Sequence, residues 1–210
     1  MLQFEKVQKQ YGSFTALNID SFTIGDGIVW LQGDNGSGKT TLLKMIAGIF
    51  PFKGDIIING CSIQKQRRQF VSHVNYAETE PLYPEFLTAK ELVQLYCHAK
   101  KGDIKQTEQM LEQLHVFDVY KKPVATYSSG MVKKLSLALA FIGSPKWILL
   151  DEPLVAVDVA SVETVCAIIK NKHVQDGISL LITSHQAFYS GQLSFTSSLL
   201  VTDHTIIKAN

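Results

Sequence analysis

Short apolar runs broken by polar turns dominate the first third of the chain. Leu2–Val7, Phe22–Ile24, Ile28–Leu31, Ile56–Ile58 and Val74–Tyr76 carry the aliphatic, β-branched and aromatic residues of strands, and YGS, GDG and NG supply turns between them. After Pro84 the spacing changes. Leu92, Val93, Leu95 and Tyr96, then Met110, Leu111 and Leu114, recur at the helical period up to about His115. From Met131 the pattern alternates helix, strand at Trp147–Leu150, helix at about Val159–His173, and strand at Ser179–Ile182, which predicts a parallel sheet covered by helices. The expectation is an α/β fold with a β-rich N-terminal part and a helical subdomain at approximately residues 84–143, all within one domain spanning 1–210. No internal repeat or low-complexity tract interrupts it.

The stretch LQGDNGSGKTTLL, Leu31 to Leu43, adds chemistry to this pattern, because it joins the strand GIVWL to the helical TTLLKMIAG. Gly33, Asp34, Asn35, Gly36, Ser37, Gly38, Lys39 and Thr40 spell G-x-x-x-x-G-K-T, the phosphate-binding loop. Glycines at 33, 36 and 38 let successive N–H groups turn inward, and the helix beginning near Lys39 adds its positive end. Such a loop cradles a di- or triphosphate. Lys39 would reach the terminal phosphates, Thr40 would sit on a bridging Mg²⁺, and Thr41 would add a phosphate contact.

Further polar residues end apolar segments. WILLDEP places Asp151 and Glu152 at the C-terminal end of a buried strand, where α/β folds hold ligands. Asp151 would partner Mg²⁺, directly or through water, and Glu152 would face the terminal phosphate and polarise an attacking water. LLITSHQ ends another strand near His185, which would touch the γ-phosphate. The other histidines, 73, 98, 115, 173 and 204, lack the paired spacing of a metal site. YSSGMVKKLSLALAFI gathers Ser128, Ser129 and Gly130 at the start of a long helix. Taken alone, that is an N-cap.

Composition removes other classes. With 46% apolar and 19% charged residues and a net charge of +1, the 210-residue chain is neither disordered nor strongly basic, so nucleic acid is not an expected partner. The one dense basic run, KQRRQ at Lys65–Gln69, reads as a solvated loop. Cys61, Cys97 and Cys166 are far apart and form neither a zinc pattern nor a disulfide framework, which fits a reducing cytosol. The N-terminus lacks a signal-peptide core, and runs such as LALAFI and WILL are far below the ~18 residues of a membrane span. The chain itself is expected to be soluble.

The set Tyr11, Gly33–Thr40, Tyr127–Met131, Asp151–Glu152, Asp158 and His185, in that order, resembles the nucleotide-binding subunit of ABC transporters over nearly the whole chain. QYGSFTAL looks like that family's A-loop, with Tyr11 stacking on adenine. YSSGM stands in the place of its signature, LVAVD ends in Asp158 like its D-loop, and His185 matches its switch histidine. The resemblance implies a P-loop NTPase core of ABC-ATPase type, with an N-terminal antiparallel β subdomain and an inserted α-helical subdomain. It also implies an ATPase whose two copies, identical or different, pack head to tail, so that Ser128, Ser129 and Gly130 of one close over ATP held by Lys39 of the other.

There are departures. Ser129 replaces the signature's middle glycine, and Met131 its frequent glutamine. No glutamine follows Tyr76 at the Q-loop position, for which Glu78, Thr79 and Glu80 compete. Glu78 is taken as that residue and as a candidate metal ligand. The remaining expectations concern partners. The work would be done through a separate transmembrane permease subunit, with this chain peripheral on the cytoplasmic face of the cell membrane, and with Leu82, Tyr83 and Phe86 exposed as the attachment. A soluble ABC-type ATPase acting on ribosomes or DNA is the alternative. Ribosome-type relatives usually carry two such domains and chromosome-type relatives a coiled-coil insertion, and this chain shows neither. A GTPase reading lacks its N-K-x-D pattern. Cargo and direction of transport are not written in this chain.

Overall fold

The computed structural model describes residues 1–184 and 193–209. In chain order its elements are β1 (Leu2–Tyr11), β2 (Phe14–Ile24), β3 (Ile28–Gln32), α1 (Lys39–Ile46), β4 (Lys53–Ile58), β5 (Cys61–Ser62), α2 (Arg67–Ser72) and β6 (Val74–Ala77). The chain continues through α3 (Ala89–Lys100), α4 (Ile104–Gln113), α5 (Ser129–Ala140), β7 (Trp147–Leu150), α6 (Val159–Val174), β8 (Ser179–Thr183), β9 (Ser197–Thr202) and β10 (Thr205–Lys208).

Two sheets result. The first, in order β2-β1-β4-β5, is antiparallel. The second, in order β10-β9-β3-β8-β7-β6, is parallel except for the β9–β10 hairpin at its edge. Its inner strands are apolar at successive positions because both faces are covered. On one face Val29, Leu31, Leu149 and Leu181 join the antiparallel sheet and α1 in an apolar cluster. On the other, Ile148, Leu150, Leu180 and Ile182 pack with Leu92, Val93, Leu111 and Leu137 from the helices between β6 and β7. Period-2 alternation thus splits each buried strand between two cores.

Most helices begin on side-chain caps. Thr88 and Glu91 form a reciprocal capping box on α3, and Asp103, Ser128 and Asp158 cap α4, α5 and α6. α1 is different: Gly38 occupies its N-cap with φ 107° and no side chain caps it.

The structure departs from the sequence reading in several places. β2 begins at Phe14 rather than Phe22, and the β9–β10 hairpin was not anticipated. Its turn residues Asp203 and His204 take the left-handed φ of 46° and 62° that a two-residue hairpin turn requires, but without the Asn-Gly sequence that announces one. Arg67–Gln69 of the basic run lie in α2 rather than a loop, although their side chains are exposed as expected. Tyr83 is not an exposed attachment residue but packs against the helical core, whereas Leu82 and Phe86 are exposed. Among the described residues, no helix is long and apolar enough to cross a membrane.

Candidate active site

Residues Gly33–Gly38 run from the end of a central strand to the N-terminus of α1, and their backbone sets the shape of the site. Gly33, Gly36 and Gly38 have φ of 146°, 80° and 107°. At Gly33 an added Cβ would lie 2.6 Å from Ser37 Oγ and 2.7 Å from the Val201 carbonyl oxygen, so the loop closes this tightly only around glycine. Without a side-chain cap, the first-turn amides of α1 and its positive dipole end remain available to an anion. Ser37 Oγ is buried with no hydrogen-bond partner among the described residues. An anionic, oxygen-rich ligand fits all of these groups.

Lys39 is buried and its Nζ donates to the carbonyls of Gly33 (2.8 Å) and Asp34 (2.9 Å), which holds the cation over the loop. Desolvation lowers its pKa, opposed by Glu152, Asp151 and Asp34.

Opposite the loop, β7 delivers Asp151 into a polar grip. Thr40 Oγ1 donates to its Oδ2 at 2.8 Å, Thr183 Oγ1 donates to its Oδ1 at 2.7 Å, and the Tyr76 hydroxyl reaches Oδ2 at 3.4 Å. α1, β8 and β6 therefore orient one buried carboxylate. Burial first, and then Asp151 and Glu78, push the Tyr76 phenol upward, so it stays a donor. Glu152 follows with φ 47°, a left-handed turn at the strand end, and its N–H donates to Thr183 Oγ1 at 2.9 Å. A cavity of about 670 Å³ is bounded by Asn35, Gly36 and residues 38–41 on one side, and by Glu78, Thr79, Glu80, Asp151 and Glu152 on the other. Glu78 lies just after β6, its Oε2 3.5 Å from Lys44 Nζ. Among the described residues no cluster of three or more His, Cys, Asp or Glu would hold a metal. One hydroxyl beside one carboxylate is a sparse oxygen set of the kind Mg²⁺ uses when water and phosphate supply the rest.

Residues 17–155, more than half of the chain, match the family described as ABC transporter. The chain belongs to the ABC transporter family. It is an ATP-binding cassette of that family. It is 33% identical over 206 residues to the cytochrome c biogenesis ATP-binding export protein CcmA of Histophilus somni, covering 91% of this chain and 90% of that one. It is 31% identical over 188 residues to the uncharacterized ABC transporter ATP-binding protein YhcH of Bacillus subtilis, covering 88% of this chain but only 62% of YhcH. The fold matches that of a dimeric bacterial ABC transporter cassette with a TM-score of 0.85, at 19% identity, over 100% of this chain and 99% of that one.

Tyr11, Ser128, Ser129, Gly130 and Asp158 do not line this cavity. Ser128 and Ser129 are exposed at the start of α5, where Ser128 Oγ accepts the Met131 N–H at 3.3 Å. Gly130 is pressed against the turn that leads into α6: a Cβ there would lie 2.7 Å from the Ala156 carbonyl oxygen. Asp158 Oδ1 accepts the Ser161 N–H at 3.0 Å, and its Oδ2 accepts from Lys134 Nζ at 2.8 Å and Ser161 Oγ at 2.9 Å. Tyr11 is half exposed at the end of β1, and His185 lies outside the described residues. Thr183, Lys133 and Lys134 were missed from the sequence. The one available signal was a lysine pair beside the run LSLALAFI, which leaves α5 no wide solvent face for both.

Proposed function

We propose that this cassette hydrolyses ATP with Mg²⁺ as half of a head-to-tail dimer, and that dimer closure drives a separate transmembrane permease from the cytoplasmic face of the cell membrane. The observation that carries the reading is the separation of the two anion-seeking helix starts. α1 opens into the cavity holding Lys39, Asp151 and Glu152, while Ser128–Gly130 at the start of α5 do not line it, so they would serve a nucleotide on another copy.

In this reading the loop amides, Lys39 and Thr41 bind and orient the phosphates. Thr40 and Asp151 would hold the ion, with Asp151 kept in place by Thr183 and Tyr76, and with Glu78 at the mouth beside Lys44. Bound Mg²⁺·ATP supplies the electrophilic γ-phosphoryl group and neutralises its charge. Glu152 would take the proton of the attacking water. His185 would complete the γ-phosphate contacts, Asp158 the subunit junction, and Tyr11 the base site.

Glu152→Gln tests the catalytic assignment. Its ATP binding should stay at the parent value while turnover falls by roughly 10² or more, the scale of a lost general base. Parent-like turnover would remove Glu152 from the mechanism.

A further inference from the structure

Lys133 is 1% exposed, and among the described residues no carboxylate oxygen accepts its ammonium. Its Nζ instead donates to three backbone carbonyls: Glu78 at 2.7 Å, Thr79 at 3.2 Å and Asp151 at 2.9 Å. An ammonium has three N–H donors, so the set of acceptors matches them one for one. The acceptors come from two segments that meet at the nucleotide cavity, the loop after β6 and the turn after β7, while the lysine comes from α5. Burying an unpaired ammonium is costly, and only a complete set of acceptors makes it tolerable. Asp151, Glu152 and Glu78 add longer-range attraction, although burial dominates and brings its pKa down to about 8.

Two neighbours on α5 extend the same junction. Gly130, Lys133 and Lys134 are spaced i, i+3, i+4 and so share one helix face. Gly130 abuts the Ala156 carbonyl, and Lys134 Nζ reaches Asp158 Oδ2 at 2.8 Å and Ser161 Oγ at 3.1 Å. This face of α5 is therefore fastened to the segment between Asp151 and Ser161 at three points.

We infer that Lys133 is a positioning residue that locks the 78–79 loop and the Asp151–Glu152 turn to α5, linking the geometry of one nucleotide site to the helix start offered to the other. The inference rests on the assignment of Asp151 and Glu152 to ATP hydrolysis. It adds a residue that does not itself line the cavity. Displacing the Asp151 carbonyl shifts Glu152 with it, and misplacing a reacting group by about 1 Å costs on the order of a hundredfold in rate.

The test uses the full chain with MgCl₂ and ATP. Lys133→Met keeps the length of the side chain and removes its donors, whereas Lys133→Gln restores two N–H groups. In Lys133→Met, kcat should fall by about tenfold to a hundredfold, with KM for ATP changed by less than about threefold and any cooperativity in ATP reduced. Lys133→Gln should recover much of the rate. Hydrogen–deuterium exchange should rise in peptides covering 77–83 and 151–158 and stay at the parent level in β1 and β2. A Lys133→Met chain with parent kcat, or with unchanged exchange at 77–83, overturns the inference. So does a Gln variant that binds ATP as the parent does yet recovers nothing. Should Lys133→Met fail to fold, the Gln variant carries the test alone: a partial loss of kcat with exchange raised only in those peptides supports the link, and a parent kcat overturns it. If the parent chain hydrolyses no ATP, the assigned function fails, and the exchange measurement still decides the lock.

Discussion

Tyr11 closes β1 with its ring half exposed, with Lys9 Nζ 4.7 Å from the ring centroid and Phe50 edge-on at 6.5 Å. Lys9 reaches the ring while its Nζ donates to the Pro51 carbonyl at 2.9 Å, so the aromatic surface is held in place by its neighbours. Base–aromatic stacking is worth ~1–3 kcal/mol, so Tyr11→Ala should weaken ATP binding by about 5- to 150-fold. Because every base has a π-face, GTP should lose about as much as ATP. Equilibrium binding of both nucleotides checks this, and unchanged ATP affinity would end the role given to Tyr11. Residues of this kind were legible in the sequence where chemistry demands a fixed order, as in G-x-x-x-x-G-K-T or two carboxylates after four apolar residues. Thr183 and Lys133 were not. A threonine ending a strand and a lysine in a helix are ordinary until folding brings them against Asp151, and Tyr83 read as exposed because a residue among prolines gives no sign of which way it faces.

Helices α1 and α5 both present N-termini, but they are built differently. α1 starts on a left-handed glycine without a side-chain cap inside the cavity, whereas α5 is capped by its own Ser128 on the surface. A helix start with its amides unclaimed suits a ligand held in cis, and a small hydroxyl cap at the surface leaves room for one brought by a partner. Ser128→Arg should therefore block the partner's site, and Lys39→Ala its own. Each variant alone should be inactive. Mixing the two should restore part of the activity, because a mixed dimer retains one composite site with both halves intact. Absence of recovery at every mixing ratio would argue against sites shared between copies. At this scale the sequence was most readable where burial is two-sided: β7 and β8 announce themselves as unbroken apolar runs because cores lie on both faces. β9, β10 and the first half of β2 were hidden, since these half-exposed strands place Ser, Thr and Asn beside short apolar pairs without a regular alternation, and the Asp203–His204 turn lacks a glycine.

Taken as a whole molecule, the cassette joins a nucleotide cavity to a helical layer through the segment that follows β6. That segment begins with Glu78 and Thr79 at the cavity and continues through Leu82 and Phe86, which are 92% and 79% exposed. Tyr83 between them packs inward and anchors the segment to the core, so its neighbours project from a fixed base. Beside it a second cavity of about 490 Å³ is lined by Ile49, Leu82, Tyr83, Tyr96 and Lys100, among others, at the junction of the helical layer with the sheet. Large apolar side chains held out into solvent next to a concavity mark a contact surface. A γ-phosphate-controlled closure does work only if something is attached to the part that moves. The attachment proposed from the sequence, Leu82, Tyr83 and Phe86, therefore narrows to Leu82 and Phe86. Phe86→Asp should release the protein from membranes while ATP affinity and thermal stability stay at parent values, because its exposed side chain neither supports the core nor lines the nucleotide cavity. Tyr83→Asp should instead unfold the helical layer, a burial defect that would register as a lower melting temperature. Fractionation of cells carrying each variant, with melting curves of the purified chains, separates the two effects. A parent chain found wholly in the soluble fraction, capturing no membrane protein, would remove the permease from the proposal.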